Sequence, residues 1–352
     1  MTDNSFHTSI CFFNNKGGVG KTTLACNVAS YLAEHEKLRV LIVDADPQCN
    51  ATQLVLPQET TDAIYRSASP PFATLYEVLR PIRVGDATLS GAIVPAPPSS
   101  NRFGVHIIPG HPRIAMLEDQ LSGAWTDFIG GQIRGVRVTN WNTQLLRILQ
   151  PSYDVIIYDV GPSLGALNRS VLIGADYFVA PMGADIFSLI GIENIAEWLK
   201  VWQDQYGDAM GRCIQTHGVE LDQYDIRRDS NLVSRFVGYT VQQYITKTIK
   251  DVRRPASAYE TILLSIPKSI VDNLGKMTPK ALRESTLQLG DVPHMFSLVP
   301  LAQTKHTPID GLESKDGLSG GQYSQQAAYR KFIAALSKAL LHNLRKSTGV
   351  VQ

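Results

Sequence analysis

Short apolar runs alternate with helical patterns from the beginning of the chain. Thr8–Asn14 is short, apolar and followed by glycines, and Arg39–Asp44 is a continuous apolar run typical of a strand buried on both faces. Between them, Lys21–Glu34 places its apolar residues at helical spacing. Strand, helix and strand in immediate succession indicate a βαβ unit and therefore a parallel sheet.

The same alternation continues to the end of the chain. Ser188–Tyr206 and Tyr323–Leu344 repeat apolar residues every three or four positions and predict core-facing helices. Together the elements predict an α/β fold with a parallel, doubly wound sheet and helices on both faces. Further strands are predicted at Val105–Pro109, Asp154–Asp159, Tyr177–Pro181, Phe236–Val241 and Phe296–Pro300.

Several stretches interrupt this pattern and are interpreted as loops or insertions. Leu56–Ser69 is polar, Pro95–Arg102 is rich in proline and serine, and Ser122–Asn140 is rich in glycine. Gly207–Leu289 contains one predicted strand and much else. The length of 352 residues fits either about two ordinary domains or one large α/β domain, with insertions near residues 56–102, 122–140 and 207–289.

Composition narrows the class of protein. The chain has 352 residues, 44% of them hydrophobic, and its 33 basic side chains nearly balance its 32 acidic ones. This balance excludes a histone-like protein that binds nucleic acid through overall charge. Residues 207–352 nevertheless hold 19 basic against 13 acidic side chains. A surface for a polyanion in the second half is one interpretation of this asymmetry, and scatter along the sequence is the other.

Cysteine usage and the N-terminal residues bear on the compartment. The four cysteines form no CxxC pair and fit neither a disulfide framework nor a zinc site, which favours a reducing cytosol. Met1–Ser9 lacks the cationic stretch and apolar run of a signal peptide. No apolar run approaches the ~20 residues that a membrane helix needs. We expect a cytoplasmic protein without a membrane span.

The segment with the clearest chemistry is Asn14–Thr23, NNKGGVGKTT, which follows a predicted strand and opens a predicted helix. Glycines in such a loop let backbone N–H groups cradle phosphate oxygens, and the helix N-terminus adds partial positive charge. Lys21 is placed to reach the β- and γ-phosphates, and the Thr22 hydroxyl to ligate Mg²⁺. The loop departs from the ordinary G-x-x-x-x-G-K-[ST] pattern, because Asn15 replaces its first glycine and a second lysine, Lys16, follows.

Three blocks of the sequence resemble one family. KGGVGKTT resembles the deviant Walker A loop of the ParA/MinD branch of P-loop ATPases. VLIVDADPQCNAT (Val40–Thr52) resembles its switch I block, and YDVIIYDVGPSLGALNRSVLIGAD (Tyr153–Asp176) its Walker B and switch II block. FSLVP and AYRKFIAALSKAL are weaker matches to its last strand and last helix. The similarity is greatest to ParA-type partition ATPases, and it implies a P-loop NTPase sheet in a single ParA-like domain.

The resemblance implies ATP and Mg²⁺ as cofactors. Lys21 and Thr22 would hold the phosphates and Mg²⁺. Lys16 would be the family's signature lysine, which crosses a dimer interface and touches the partner's nucleotide, and it would count with Lys21 among the catalytic residues. The nucleotide would be bound by Asn15, Gly17, Gly18, Val19, Gly20, Lys21, Thr22, Thr23 and Pro300.

Three aspartates complete the site that the resemblance implies. Asp46 would position the attacking water and is the third predicted catalytic residue. Asp44 and Asp159 would support the metal together with Thr22. An aspartate at the carboxyl end of a buried strand is a common ligand-site position in α/β sheets.

The chain departs from the family pattern at three positions. Gly161 stands where a proline is common, Cys49 where a glycine is common, and Leu301 where an arginine often follows Pro300. The preference for ATP over GTP therefore rests on the resemblance, because no base-reading motif is visible.

Basic residues near the end of the chain are candidates for contact with DNA. The resemblance implies a homodimer in the ATP state, which binds DNA nonspecifically through scattered basic residues and responds to a ParB-like or other activator. Phosphate contacts of this kind need charge and placement rather than base readout. A solvated basic face is the alternative interpretation. The candidate DNA-binding residues are Lys247, Lys250, Arg253, Arg254, Arg330 and Lys331.

Three functions are compatible with these features. The first is a weakly hydrolysing switch ATPase that positions a plasmid or chromosome locus, and it would be nucleoid-associated if it binds DNA. The second is a switch of the same fold that regulates a partner protein in a multi-gene system, which the long insertions favour. The third is a MinD-like membrane-positioning ATPase, which the lack of an obvious terminal amphipathic anchor disfavours.

Overall fold

The structure is a computed structural model, and it describes residues 7–67, 70–91, 93–233, 235–244, 246–249, 252–255, 257–293, 295 and 297–349. Its centre is a seven-stranded sheet in the order β3-β2-β4-β1-β5-β6-β9, and every strand pair in it is parallel. Strands β7 and β8 form a separate antiparallel hairpin. The strands are β1 (Thr8–Phe12), β2 (Val40–Asp44), β3 (His106–Ile108), β4 (Val155–Asp159), β5 (Tyr177–Gly183), β6 (Arg235–Tyr244), β7 (Thr246–Ile249), β8 (Val252–Pro255) and β9 (Gln288–Pro293).

Helices cover both faces of the sheet and create two hydrophobic cores. Alternating residues of β1 point to opposite faces, so that Ile10 and Phe12 join one core while Cys11 joins the other. The helices are α1 (Lys21–Glu34), α2 (Asn50–Val55), α3 (Gln58–Arg66), α4 (Leu75–Arg83), α5 (Glu118–Ile129), α6 (Ile133–Thr139), α7 (Trp141–Leu149), α8 (Ala166–Gly174), α9 (Ile186–Leu221), α10 (Ser257–Leu274), α11 (Leu298–Thr304) and α12 (Gln322–Thr348).

The order of strands determines which chain segments meet. Helices α1, α2, α11 and α12 share one core, and α4 to α10 share the other. In register, Phe12 and Asp44 both stand opposite Asp159 on β4. The carboxyl ends of β1, β2 and β4 therefore lie side by side at one edge of the sheet. Among the described residues, no helix has the length and apolar character required to cross a membrane.

The predicted α/β fold is confirmed, but the last predicted strand is wrong. The residues after Ser297 form α11, and Phe296 lies outside the described residues. The seventh strand is β9, in which Gln288 and Asp291 are exposed. An edge strand with one open side has no continuous apolar run. The apolar run near Leu298 instead belongs to α11, which buries the Leu298 side chain in a core.

Two stretches whose composition predicts loops are helical. The polar stretch after Leu56 contains α3, which buries Thr61 and Ile64 and exposes much of its remaining surface. The glycine-rich stretch contains most of α5 and all of α6. Gly135 allows these two helices to touch, since a Cβ added there would lie 2.2 Å from the Phe128 nitrogen. Glycine at this position thus marks close helix packing rather than a turn.

Candidate nucleotide site

The loop between β1 and α1 has the backbone shape of a phosphate cradle. Gly18 and Gly20 have φ of +76° and +74°, in the left-handed region that glycine adopts without a steric penalty. Asn14 anchors the loop, because its amide donates to the Pro181 carbonyl at 2.7 Å and its side-chain oxygen accepts from the Lys16 N–H at 2.9 Å. The loop therefore opens onto the N-terminus of α1, where anions are stabilised.

Lys21 and Thr22, the first two residues of α1, lie at the centre of this site. The Lys21 ammonium is buried and donates to the Lys16 carbonyl at 2.9 Å. The Thr22 hydroxyl donates to Oδ2 of Asp159 at 2.8 Å. The structure thus brings the first turn of α1 and the end of β4 into direct contact.

The carboxylate of Asp159 fits a metal site. It is fully buried, and its second oxygen, Oδ1, has no hydrogen-bond partner within the described part of the chain. A buried oxygen of this kind is costly unless a cation or proton satisfies it. The Thr22 hydroxyl and a carboxylate oxygen are the hard ligands that Mg²⁺ prefers, so the residues present fit this ion.

Asp44 is buried beside Asp159, but protein groups occupy both of its oxygens. Its Oδ2 accepts from the Thr52 N–H at 2.8 Å and from the Thr52 hydroxyl at 2.6 Å, and its Oδ1 accepts from the Asp46 N–H at 3.2 Å. The Thr52 hydroxyl in turn accepts from the Gly110 N–H at 2.8 Å. Asp44 therefore holds the start of α2 against the sheet, whatever it contributes to a metal.

Asp46 follows two residues later and is nearly buried, with 6% of its surface exposed. Its Oδ1 accepts from the Gln48 N–H at 2.9 Å. A Cβ added to Gly161 would lie 3.2 Å from the same oxygen. The glycine that replaces the family's common proline thus lets the loop after β4 approach the Asp46 carboxylate closely.

The electrostatics of the cluster favour a bound cation. Burial raises the pKa of Asp159 well above its ordinary value, and the nearby Asp44 carboxylate raises it further. Burial also raises the pKa of Asp44, to about 7. The pKa of Lys21 is lowered by its own burial, although Asp159 and Asp46 oppose that shift. A divalent cation among these groups would stabilise the ionised carboxylates.

Lys16 forms an ion pair with Asp185, which also caps α9 by accepting from the Ser188 N–H at 3.1 Å. The Lys16 ammonium lies 5.9 Å from the centre of the Phe187 ring. Phe187 is 67% exposed, and Ile190 on the next turn is 44% exposed. In this structure, then, Lys16 is paired within its own chain at the margin of an exposed apolar patch.

The other predicted nucleotide contacts differ in their positions. Gly17, Val19 and Thr23 belong to the loop and the first turn of α1. Pro300 lies instead in α11, where it is exposed, and α11 contacts α2. Its contact with nucleotide stays a prediction.

The candidate DNA-binding residues fall into two groups. The first group lies on the hairpin, where Lys247 on β7 is in register with Arg254 on β8 and Arg253 is the residue before Arg254. Lys250 lies outside the described residues. On α12, Lys331 is exposed, and Arg330 donates through Nη2 to the Asp310 carbonyl at 2.7 Å.

Sequence reasoning missed three residues that organise the site. Thr52 is the last residue of the switch I block, so its place in that block could have indicated a role for its hydroxyl. Asn168 and Glu118 act on the loop after β4 and carried no local signal, because their partners are backbone groups whose positions depend on the fold.

A parallel sheet whose first strand leads through a glycine loop and a lysine into a helix, with a buried carboxylate beside that loop, defines a P-loop NTPase. A family model described as an AAA domain matches residues 7–211. The chain belongs to the ParA/MinD family of P-loop ATPases.

Known proteins are similar over most of the chain. Chromosome partitioning protein ParA of Myxococcus xanthus is 29% identical over 263 residues, which are 74% of this chain and 80% of that protein. The crystal structure of protein DIP2308 from Corynebacterium diphtheriae matches with a TM-score of 0.75 at 32% identity, covering 96% of this chain and 98% of that one. McdA from Cyanothece, solved with ATP, is similar in fold alone, with a TM-score of 0.57 at 13% identity over 99% of this chain and 98% of that one.

Proposed function

We propose that this chain is an ATP-dependent dimerising switch of the ParA type, which hydrolyses ATP weakly, binds nonspecific DNA in its ATP state and positions or segregates a DNA cargo. The observation that carries the enzymatic part is the contact between Thr22 and Asp159, with the other Asp159 oxygen, Oδ1, left without a hydrogen-bond partner among the described residues. This arrangement joins a phosphate cradle to a hard-cation site.

Each residue of the site has its own role in the proposed hydrolysis. Lys21 and the loop N–H groups neutralise charge on the β- and γ-phosphates, since phosphoryl transfer depends mainly on positioning and charge stabilisation. Thr22 and Asp159 would hold Mg²⁺, which would supply further neutralisation of the phosphate charge. Asp46 orients the attacking water, and Asp44 fixes the backbone that carries Asp46.

Lys16 couples the site to dimerisation. In the ATP-state homodimer it exchanges Asp185 for the nucleotide bound by the partner subunit. Its ion pair is one-third exposed on each side, at 33% for Lys16 and 30% for Asp185, so the pair is worth little and breaks easily. The exposed Phe187 and Ile190 lie next to it and would be covered in such a dimer.

DNA binding is proposed for Lys247, Arg253 and Arg254 of the hairpin and for Lys250, with Arg330 and Lys331 as a second group. In the hairpin register the position of Lys247 stands opposite that of Arg254, so basic residues occupy paired positions on the two strands. The ParA of Myxococcus xanthus is named for chromosome partitioning, which supports a DNA cargo here. The ParB-like or other activator is proposed from the resemblance of the sequence blocks to ParA-type ATPases. A cytoplasmic, nucleoid-associated location follows from this function.

Hydrolysis of ATP by the purified chain tests the enzymatic part of the proposal. We expect slow, Mg²⁺-dependent release of phosphate that Lys21→Ala reduces by about 100-fold or more. Lys338→Ala is the matched control, because Lys338 is an exposed lysine on α12. Equal turnover by wild type and Lys21→Ala would refute the site.

Titration of labelled nonspecific duplex, with ATP and with ADP, tests the DNA part. The proposal predicts binding only with ATP. If wild type hydrolyses ATP but binds no duplex, the switch that regulates a partner protein becomes the better account.

A further inference from the structure

A carboxylate from a distant segment caps the helix that follows the Walker B strand. The Glu118 side chain lies at the start of α5, and its Oε2 accepts from the Ala166 N–H at 2.7 Å and from the Leu167 N–H at 3.2 Å. These are the first two residues of α8. The residue before them, Gly165, has no side chain with which to cap the helix, so Glu118 does so from 48 residues away.

The contact is so close that a larger residue at the helix start would displace the Glu118 carboxylate. A Cβ added to Gly165 would lie 2.9 Å from Oε1 of Glu118. Around Glu118, Ile114 and Leu117 are fully buried in the core. On the other side, Arg169 of α8 lies 4.5 Å from the ring centre of Trp125 on α5. The backbone at Glu118 is therefore held in place by its buried neighbours. Helix α8 in turn packs against α5, the helix that begins with Glu118.

Helix α8 in turn holds the loop between Asp159 and its own first residue. The amide of Asn168, which is buried, donates to the Gly161 carbonyl at 2.8 Å and to the Ser163 carbonyl at 2.7 Å. Gly161 is the residue that approaches the Asp46 carboxylate. A continuous set of contacts thus runs from Glu118 through α8 and Asn168 to Gly161 and Asp46.

We propose that Glu118 is a positioning residue for ATP hydrolysis, which sets the loop between Asp159 and α8 against Asp46 by capping α8. The proposal rests on the ATPase function proposed above. Glu118 acts through the backbone N–H groups of Ala166 and Leu167. It acts on the transition state by fixing the geometry of a loop, and misplacement of such groups by about 1 Å costs up to 100-fold in rate.

The proposal predicts a specific kinetic signature. Glu118→Ala should lower kcat about tenfold while KM for ATP stays within about twofold, because ground-state binding uses the loop at α1 rather than α8. Both hydrogen bonds use one oxygen, so Glu118→Gln, which keeps an acceptor oxygen, should restore kcat to within about threefold of wild type. Asp119→Ala is the matched control, since Asp119 is the exposed next residue on the same turn of α5.

A second variant approaches the same contact from the other side. Gly165→Ala places a methyl group against the Glu118 carboxylate and should lower kcat in the same way, without loss of ATP affinity. Melting temperatures of all variants, with amide hydrogen exchange at residues 160–168, check that the fold is kept and that the loop has loosened.

Each outcome has one meaning. A fall in kcat alone for Glu118→Ala, with rescue by Glu118→Gln, supports the proposal. Unchanged kcat for Glu118→Ala overturns it, and so does an equal fall in kcat for Glu118→Gln. A fall in kcat for Glu118→Ala that comes with a raised KM and a lowered melting temperature overturns it as well. If wild type itself does not hydrolyse ATP, the proposed function fails instead, and this is seen before any variant is compared.

Discussion

The two parts of the proposed function, ATP hydrolysis and DNA binding, are assigned to two regions that differ in structure. Hydrolysis is assigned to the carboxyl ends of β1, β2 and β4, which form the carboxyl edge of the sheet, and DNA binding to the β7–β8 hairpin. At the edge, Lys21, Thr22 and Asp159 are buried or partly buried and bonded to one another or to the loop. The hairpin has one antiparallel pairing and is rich in basic residues, with Lys247 in register opposite Arg254. The first region depends on residue identity at fixed spacing, and the second on net charge alone.

This difference sets how changes in each region should behave. A single substitution at the edge removes a group that no neighbour replaces, so its effect on turnover is large. Removal of a single charge from the hairpin leaves other charges nearby, so DNA affinity changes by increments. Changes at the edge should affect catalysis, and changes in the hairpin should leave catalysis without DNA intact.

The largest separation of binding from catalysis is expected at Asp46. Asp46→Ala should keep ATP affinity within a few-fold and lower single-turnover hydrolysis by about 100-fold, because a group that orients water acts mainly in the transition state. The trapped ATP state should also sediment as a dimer. Asp62→Ala on α3, which removes an exposed carboxylate, is the control. Lost ATP affinity with normal turnover per bound nucleotide would show that the role is wrong.

A smaller and graded effect is expected at the hairpin. Replacement of Lys247, Lys250, Arg253 and Arg254 by alanine should weaken ATP-dependent DNA binding and flatten the plot of log K against log salt by about 0.9 for each phosphate that the variant no longer neutralises. Phosphate release without DNA should stay at the wild-type rate. If the variant binds DNA as wild type does, the DNA-binding residues lie elsewhere, and the same titration with Arg330 and Lys331 replaced then tests α12.

The smallest effect is a pH-dependent change in stability at Asp44. Its pKa is raised from 3.8 to about 7 by burial, so between these pH values the folded chain keeps a proton that the unfolded chain has released. Stability without metal should therefore fall as pH rises from about 4 to about 7. Asp44→Asn removes this pH dependence, but its NH2 group faces a backbone N–H of Thr52 or Asp46, so it should melt below wild type, with a smaller deficit at pH 8 than at pH 5. A deficit independent of pH would contradict the burial argument.

The same contrast explains what could be predicted from the sequence. Strands β1, β2 and β4 are buried on both faces, so continuous apolar runs reveal them, and the ligand positions follow at their ends. The loop residues are predictable because glycine and lysine at this spacing have few other uses. In these strands and in the loop, the hydrophobic pattern and the residue types indicate the same structure.

The remainder depends on contacts between distant segments. Strand β9 has one open side and alternates polar with apolar residues, so it lacks the run that marks an inner strand. Gly135 resembles a loop signal because the helix that it packs against cannot be seen in the sequence. Glu118 caps a helix 48 residues away, and nothing near it in the chain indicates that partner.

Asp159 and Thr22 are central to the proposed function as a Mg²⁺ site beside the phosphate loop, and calorimetric titration of ATP tests this site most directly. Wild type should bind ATP more tightly with Mg²⁺ than with EDTA, because Oδ1 of Asp159, which no group in the described part of the chain satisfies, is available to the metal. Asp159→Asn should keep the affinity measured in EDTA and lose most of the gain from Mg²⁺. An undiminished Mg²⁺ gain in Asp159→Asn would contradict the assignment.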